Sequence, residues 1–102
     1  MARFDLYAMP GRGAKGYVLD VQADLLSHLA TRTVVPLLPA DKAPPPIRGL
    51  NPIFTISGQP HVMLTQAIAA MPRKEMGRPI IGLDGTDYDS ASHALDILLT
   101  GF

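Results

Sequence analysis

The side chains of this chain that could do chemistry are few and scattered. His28, His61 and His93 lie far apart, with none of the short spacings by which one helix or hairpin presents imidazoles to a metal. Isolated histidines of this kind belong on the surface or in satisfied core positions, so neither a metal site nor a cofactor is expected. Asp84, Asp87 and Asp89 cluster where an apolar helical stretch begins. There carboxylates accept from the free N–H groups of a first turn and oppose the helix dipole, so capping is expected rather than acid–base work. Gly11-Arg12-Gly13 and Gly82-Leu83-Asp84-Gly85 lack the strand–glycine–helix order of a phosphate loop and read as turns. No serine sits in a nucleophile elbow. Cysteine is absent, which removes thiolate nucleophiles, thiolate metal ligands and disulfides together and fits a reducing compartment, the cytoplasm. No catalytic residue is expected.

The elements that position these residues are mostly strands. Arg3 to Tyr7 alternates polar and apolar, the period of a half-buried strand. Pro10 to Gly16 is a loop, after which Tyr17 to Gln22 resumes as a strand, paired with the first as a hairpin. Ala23 to Ala30 reads as one helical turn or a compact connection, and Thr31 to Leu38 as a third strand. Pro36 inside that strand donates no ladder hydrogen bond, which places it at an edge or a bulge. Pro39 to Pro46 is extended, with three consecutive prolines. Asn51 to Ile56 and His61 to Leu64 flank Ser57-Gly58-Gln59-Pro60 as a second hairpin, and Pro72 to Gly77 carries a further short strand. From Tyr88 to Leu99, apolar residues at Ala91, Ala94, Leu95, Leu98 and Leu99 keep helical spacing, and Gly101 suits the left-handed cap. Two hairpins and a last helix in 102 residues predict one small barrel domain spanning 1–102, mainly β.

Nine basic and nine acidic residues cancel and are interspersed. Nucleic-acid binders gather Lys and Arg to neutralise phosphates, so a protein partner fits better. The longest apolar runs fall short of a membrane span, and no secretory leader is legible. A soluble cytoplasmic protein is therefore expected. Its final residues, Ala94 to Phe102, are apolar with no polar tail, whereas chain ends are usually polar and frayed. Such an end is either buried or used. From these residues alone, a last core helix with a glycine stop is the expected reading.

The order of elements and several segments resemble the CcdB toxins of bacterial toxin–antitoxin modules, which poison DNA gyrase. The matching residues are Phe4 and Tyr7, Asp20-Val21-Gln22-Ala23-Asp24, Val34-Val35-Pro36-Leu37, Met63 with Thr65, Ala69 with Pro72, and Gly101. The resemblance implies a CcdB/MazF-type, SH3-like barrel of antiparallel strands with a C-terminal helix, paired as a homodimer. It implies a mechanism without catalysis by the toxin, which binds the GyrA subunit and traps the gyrase–DNA cleavage complex. It implies a cognate antitoxin whose disordered C-terminal segment wraps the toxin and through which alone the module meets operator DNA. Carried over by position, the gyrase-facing residues are Leu25, Leu26, Asp96, Thr100, Gly101 and Phe102. The antitoxin surface involves the first loop, Met9, Pro10, Gly11, Arg12, Gly13, Ala14, Lys15 and Gly16. Without the resemblance, Leu25 and Leu26 read as core and Asp96 as a solvated helix face.

One departure bears on activity. Gyrase-poisoning members end in Trp-Gly-Ile, and Thr100 stands at the tryptophan's place, with an aromatic ring only at Phe102. A second class is the mRNA-cleaving relatives of the MazF and Kid type. These need an arginine with a histidine, acid or hydroxyl partner to activate the ribose hydroxyl and stabilise the charged transition state. Arg32, Arg73 or Arg78 with His61 or Asp84 are the side chains able to supply it. A third reading is a retargeted homologue that has lost gyrase poisoning.

Overall fold

A computed structural model describes residues 2–101. Seven strands form one antiparallel sheet, and a helix ends the described chain. The strands are β1 (Asp5–Ala8), β2 (Tyr17–Asp20), β3 (Thr31–Pro39), β4 (Ile53–Ile56), β5 (Gln59–Met63), β6 (Ala69–Pro72) and β7 (Ile81–Gly82), and the helix is α1 (Gly85–Thr100). They run in the order β4-β5-β3-β2-β1-β7, with β6 also paired to β3, so the sheet is a half-barrel open between β4 and β7. No helix among the described residues is long and apolar enough to cross a membrane.

Alternation along the strands buries both faces of the sheet. Leu6, Leu19, Val35 and Leu37 point to one side, where Phe4, Phe54, Ile56 and Met63 join Ala91, Ala94 and Leu95 of α1. Tyr7, Val18 and Val34 point to the other, covered by Met76 with Met9 and Met71. The alanines at 91 and 94 let the helix sit close on the sheet, and Leu95 fills the next turn. Leu98 is half-buried and Leu99 is 70% exposed, so within the single chain the packing expected of this helix is carried mainly by Leu95.

Several boundaries differ from those the sequence predicts. Phe4 adopts φ 69°, outside strand geometry, so β1 begins at Asp5 rather than Arg3. The second hairpin turns at Ser57 and Gly58 alone, both at positive φ, because Gln59 and Pro60 already pair in β5. The strand expected over 72–77 lies at Ala69–Pro72, followed by a 3-10 turn at Arg73–Glu75.

Pro36 requires a correction. It lies in the middle of β3, the central strand, and not at an edge. One margin of β3 pairs with β2 through Tyr17↔Leu37 to Asp20↔Val34. The other pairs with β6 through Thr31 to Val34 and with β5 through Leu37 to Pro39. Leu64 N donates to the Pro36 carbonyl at 2.9 Å, so the proline nitrogen faces that second margin. It falls in the interval between β6 and β5, where the sheet asks for no donor.

Candidate functional site

Leu25 and Leu26 occupy a 3-10 turn, Asp24–Leu26, between β2 and β3. Leu25 is 85% exposed, Leu26 41% and Leu29, just beyond, 39%. Core packing is thereby excluded for Leu25. The turn is braced at both ends. Arg3 N donates to Asp24 Oδ1 at 2.8 Å, and Gln22 Nε2 donates to the Leu26 carbonyl at 2.8 Å. Leu26 N and Ser27 N close the turn onto the Ala23 and Asp24 carbonyls at 2.9 and 3.0 Å.

The end of α1 gathers three more of the predicted residues. Gly101, at φ 83°, donates to the carbonyls of Asp96 and Ile97 at 3.1 and 3.0 Å, the left-handed cap that glycine adopts without steric cost. Thr100 Oγ1 donates to the same Asp96 carbonyl at 2.7 Å. Asp96, Thr100 and Gly101 therefore form one exposed structural unit, with exposed Leu99 among them. Phe102 lies outside the described residues. The turn and the helix end share no hydrogen bond among the described residues.

The first loop, Met9 to Gly16, joins β1 to β2, with Met9 N donating to the Gly16 carbonyl at 3.2 Å. Residues 10–15 are exposed, whereas Met9 packs against the Tyr7 cluster. Gly16 has φ +95°, and a methyl placed there would run into the Leu37 carbonyl oxygen. Glycine is thus required at the loop's return to the sheet.

Beneath these surfaces lies a charged pair. Arg32 Nε donates to Asp20 Oδ2 at 2.8 Å, and Nη2 lies 2.6 Å from the same oxygen, with both side chains 0% exposed. Asp20 Oδ1 accepts from Gln22 N at 3.0 Å. The short Nη2 contact gives Coulomb attraction without hydrogen-bond alignment, so Nη1 and Nη2 of Arg32, like the Tyr7 hydroxyl, are buried without a hydrogen-bond partner. Burial first, then the Asp5 and Asp20 carboxylates, push the Tyr7 hydroxyl above the usual tyrosine range, against an opposing pull from Arg32.

The candidates for ribonuclease chemistry are held apart. Arg32 is committed to Asp20. His61 is buried, its Nδ1 3.0 Å from the Gln59 carbonyl and its ring edge-on to Tyr17 at 5.1 Å. Arg73 donates from Nη1 to the Ser27 carbonyl at 3.2 Å, and Arg78 is exposed. Asp84 caps α1, accepting from Asp87 N at 3.1 Å, as its position predicts. Asp87 is raised above the usual carboxylate range by its own burial and then by the neighbouring charge of Asp84. None of the three arginines bonds to His61 or Asp84.

Sequence reasoning gives Leu99 to packing and Gln22 to the family match alone; the structure leaves Leu99 exposed beside the predicted residues at the helix end and puts the Gln22 amide on the Leu26 carbonyl. Gln22 had a signal, since a glutamine between a buried strand end and an exposed turn is able to donate and accept at once.

A family model described as CcdB protein matches residues 3–101. Among solved structures, the Mycobacterium tuberculosis toxin MazF-mt6 superposes with a TM-score of 0.71 over 90% of this chain and 92% of that chain, at 16% identity. At that identity the likeness is one of fold. A search of curated protein sequences finds no match.

Proposed function

The chain belongs to the CcdB family, toxins of toxin–antitoxin systems, and from that premise we propose that it is a gyrase poison: it binds GyrA and traps the gyrase–DNA cleavage complex, so that gyrase's own cuts persist as double-strand breaks. The observation that carries this reading is Leu25, an 85% exposed leucine on a turn braced at both ends. A leucine left in water adds nothing to folding, whereas burying it against a partner is worth about 1.5–3 kcal/mol. Leu26 beside Leu25 and, at the end of α1, the exposed Leu99 and Asp96 are further side chains available to GyrA. The toxin itself contributes shape and binding energy and no catalytic group.

Thr100 stands where gyrase-poisoning members carry tryptophan, and truncating such an anchor commonly costs about 2 kcal/mol or more. In this reading Phe102 takes over part of that role. A Phe102→Ala variant as toxic on expression as the parent refutes that assignment.

The partners follow from the same premise. The protein works in the cytoplasm as a homodimer, and an antitoxin with a disordered C-terminal segment covers it at the Met9–Gly16 loop. Operator DNA is met through the antitoxin alone.

The purified protein is mixed with gyrase and supercoiled DNA, and separately with RNA. Gyrase-dependent accumulation of cleaved DNA supports the poison. RNA cut without gyrase assigns a ribonuclease of the MazF and Kid type, a reading weakened by the burial of Arg32 against Asp20. Antitoxin binding with neither activity identifies a retargeted homologue.

A further inference from the structure

A three-residue 3-10 turn is a weak element by itself, with poorly aligned hydrogen bonds. The Asp24–Leu26 turn buries none of its residues, so packing does not hold it. Its shape comes from tethers: Arg73 Nη1 reaches the Ser27 carbonyl just beyond it at 3.2 Å, and the side chain that bonds the turn's own last carbonyl is a carboxamide. Gln22, 7% exposed, donates from Nε2 to the Leu26 carbonyl at 2.8 Å. Its Oε1 accepts from Thr33 N at 3.0 Å and from Thr33 Oγ1 at 3.4 Å. The side chain thus spans from β3 to the last carbonyl of the turn. Its own backbone N–H bonds to Asp20, the partner of Arg32, so a continuous path runs from the buried ion pair to the exposed leucines.

We infer that Gln22 is a positioning residue for the partner-binding surface: its amide holds the Leu25–Leu26 turn in binding shape before the partner arrives. The inference rests on the reading of those leucines as GyrA-facing. A preformed turn spares the complex the entropy of ordering it, which otherwise subtracts from affinity. Glutamine fits the task because one planar group donates and accepts; glutamate keeps the acceptor and loses the donor, and methionine loses both.

The test uses Gln22→Glu and Gln22→Met in the full chain, read by native-state hydrogen exchange and by GyrA affinity. The reporters are the amides of Leu26, Ser27 and Leu29, bonded to the carbonyls of Ala23, Asp24 and Leu26, with Leu64, bonded to Pro36, as a reference in the sheet. In both variants the turn amides are expected to lose essentially all protection while the sheet amide keeps its own, and GyrA affinity is expected to fall at least about tenfold, since apparent affinity scales with the competent fraction, which drops that far only once the turn is mostly open. Unchanged exchange in the turn overturns the inference, as does a loosened turn with undiminished GyrA affinity. Equal loss of protection in turn and sheet, or a variant that does not fold, assigns Gln22 a structural role and overturns it too. If the parent protein fails to bind GyrA, the gyrase reading falls, and the clamp is judged on the exchange rates alone.

Discussion

Replacing Arg32 by methionine tests how the buried charges are held. The substitution keeps a long apolar stem and removes the guanidinium, leaving the Asp20 carboxylate 0% exposed with one remaining hydrogen bond, from Gln22 N at 3.0 Å. Removing one partner of a buried pair typically costs about 3–5 kcal/mol, because the survivor is a charge without compensation. The reverse variant, Asp20→Asn, strands the guanidinium and is expected to cost a similar amount. The double variant carries no buried charge, and its asparagine still accepts from Gln22 N. Its loss is expected to stay within about 2 kcal/mol of the parent, since neutral replacements of buried pairs are tolerated far better than half-pairs. For a domain of this size each kcal/mol shifts Tm by about 4–8 °C, so either single variant should melt at least ~12 °C below the parent and the double variant should recover most of that. Urea denaturation of the four proteins closes the cycle. Additive losses, with the double variant as unstable as the sum of the singles, refute the argument, as do single losses under about 1 kcal/mol.

Further outcomes follow from the same geometry. Asp96 is an acid near the C-terminal end of α1, whose last turn carries no basic residue, so its charge opposes the dipole; Asp96→Asn should leave Tm unchanged or raised while weakening GyrA binding, and equal binding by the two proteins returns Asp96 to the solvated face. Gly16→Ala should destabilise by more than the ~1–3 kcal/mol of positive-φ strain, because its methyl meets the Leu37 carbonyl, whereas Gly13→Ala, with open space around it, should show the strain alone; urea midpoints compare the two. Tyr7→Phe should be neutral or stabilising at neutral pH, since the hydroxyl is buried without a partner, and a loss above about 1 kcal/mol contradicts that. The fold holds the Tyr7 proton more tightly than the unfolded chain does, so its contribution is intact below the usual tyrosine value and lost as pH rises through the raised one; unfolding measured from pH ~9 to ~11 should show a steeper decline for the parent than for Tyr7→Phe.

Local signals carried much of the fold. Alternation located β1, apolar runs beyond the glycine loop and the next connection located β2 and β3, turn chemistry located the second hairpin, and a capping aspartate with three-and-four apolar spacing located α1. Where the sequence misled, tertiary context had decided. Two-residue β7 has no period to detect, and it exists because β1 offers partners at Asp5 and Leu6. The helix begins at Gly85, before the good helix formers, because Asp84 caps it there. Leu25 is apolar like a core residue and yet 85% exposed. A leucine's burial depends on which side of a braced turn it leaves, and Gln22 and Arg3 set that from outside the turn.

Pro36 has a consequence during synthesis. When residues 1–39 have emerged, β1, β2 and β3 can form a meander, but the second margin of β3 stays open until residues 59–72 follow. A nine-residue open margin is a template for pairing with a neighbouring nascent chain. The proline interrupts that template at its centre, since a foreign strand finds no donor there. A residue that leaves the finished sheet intact thus guards the unfinished one.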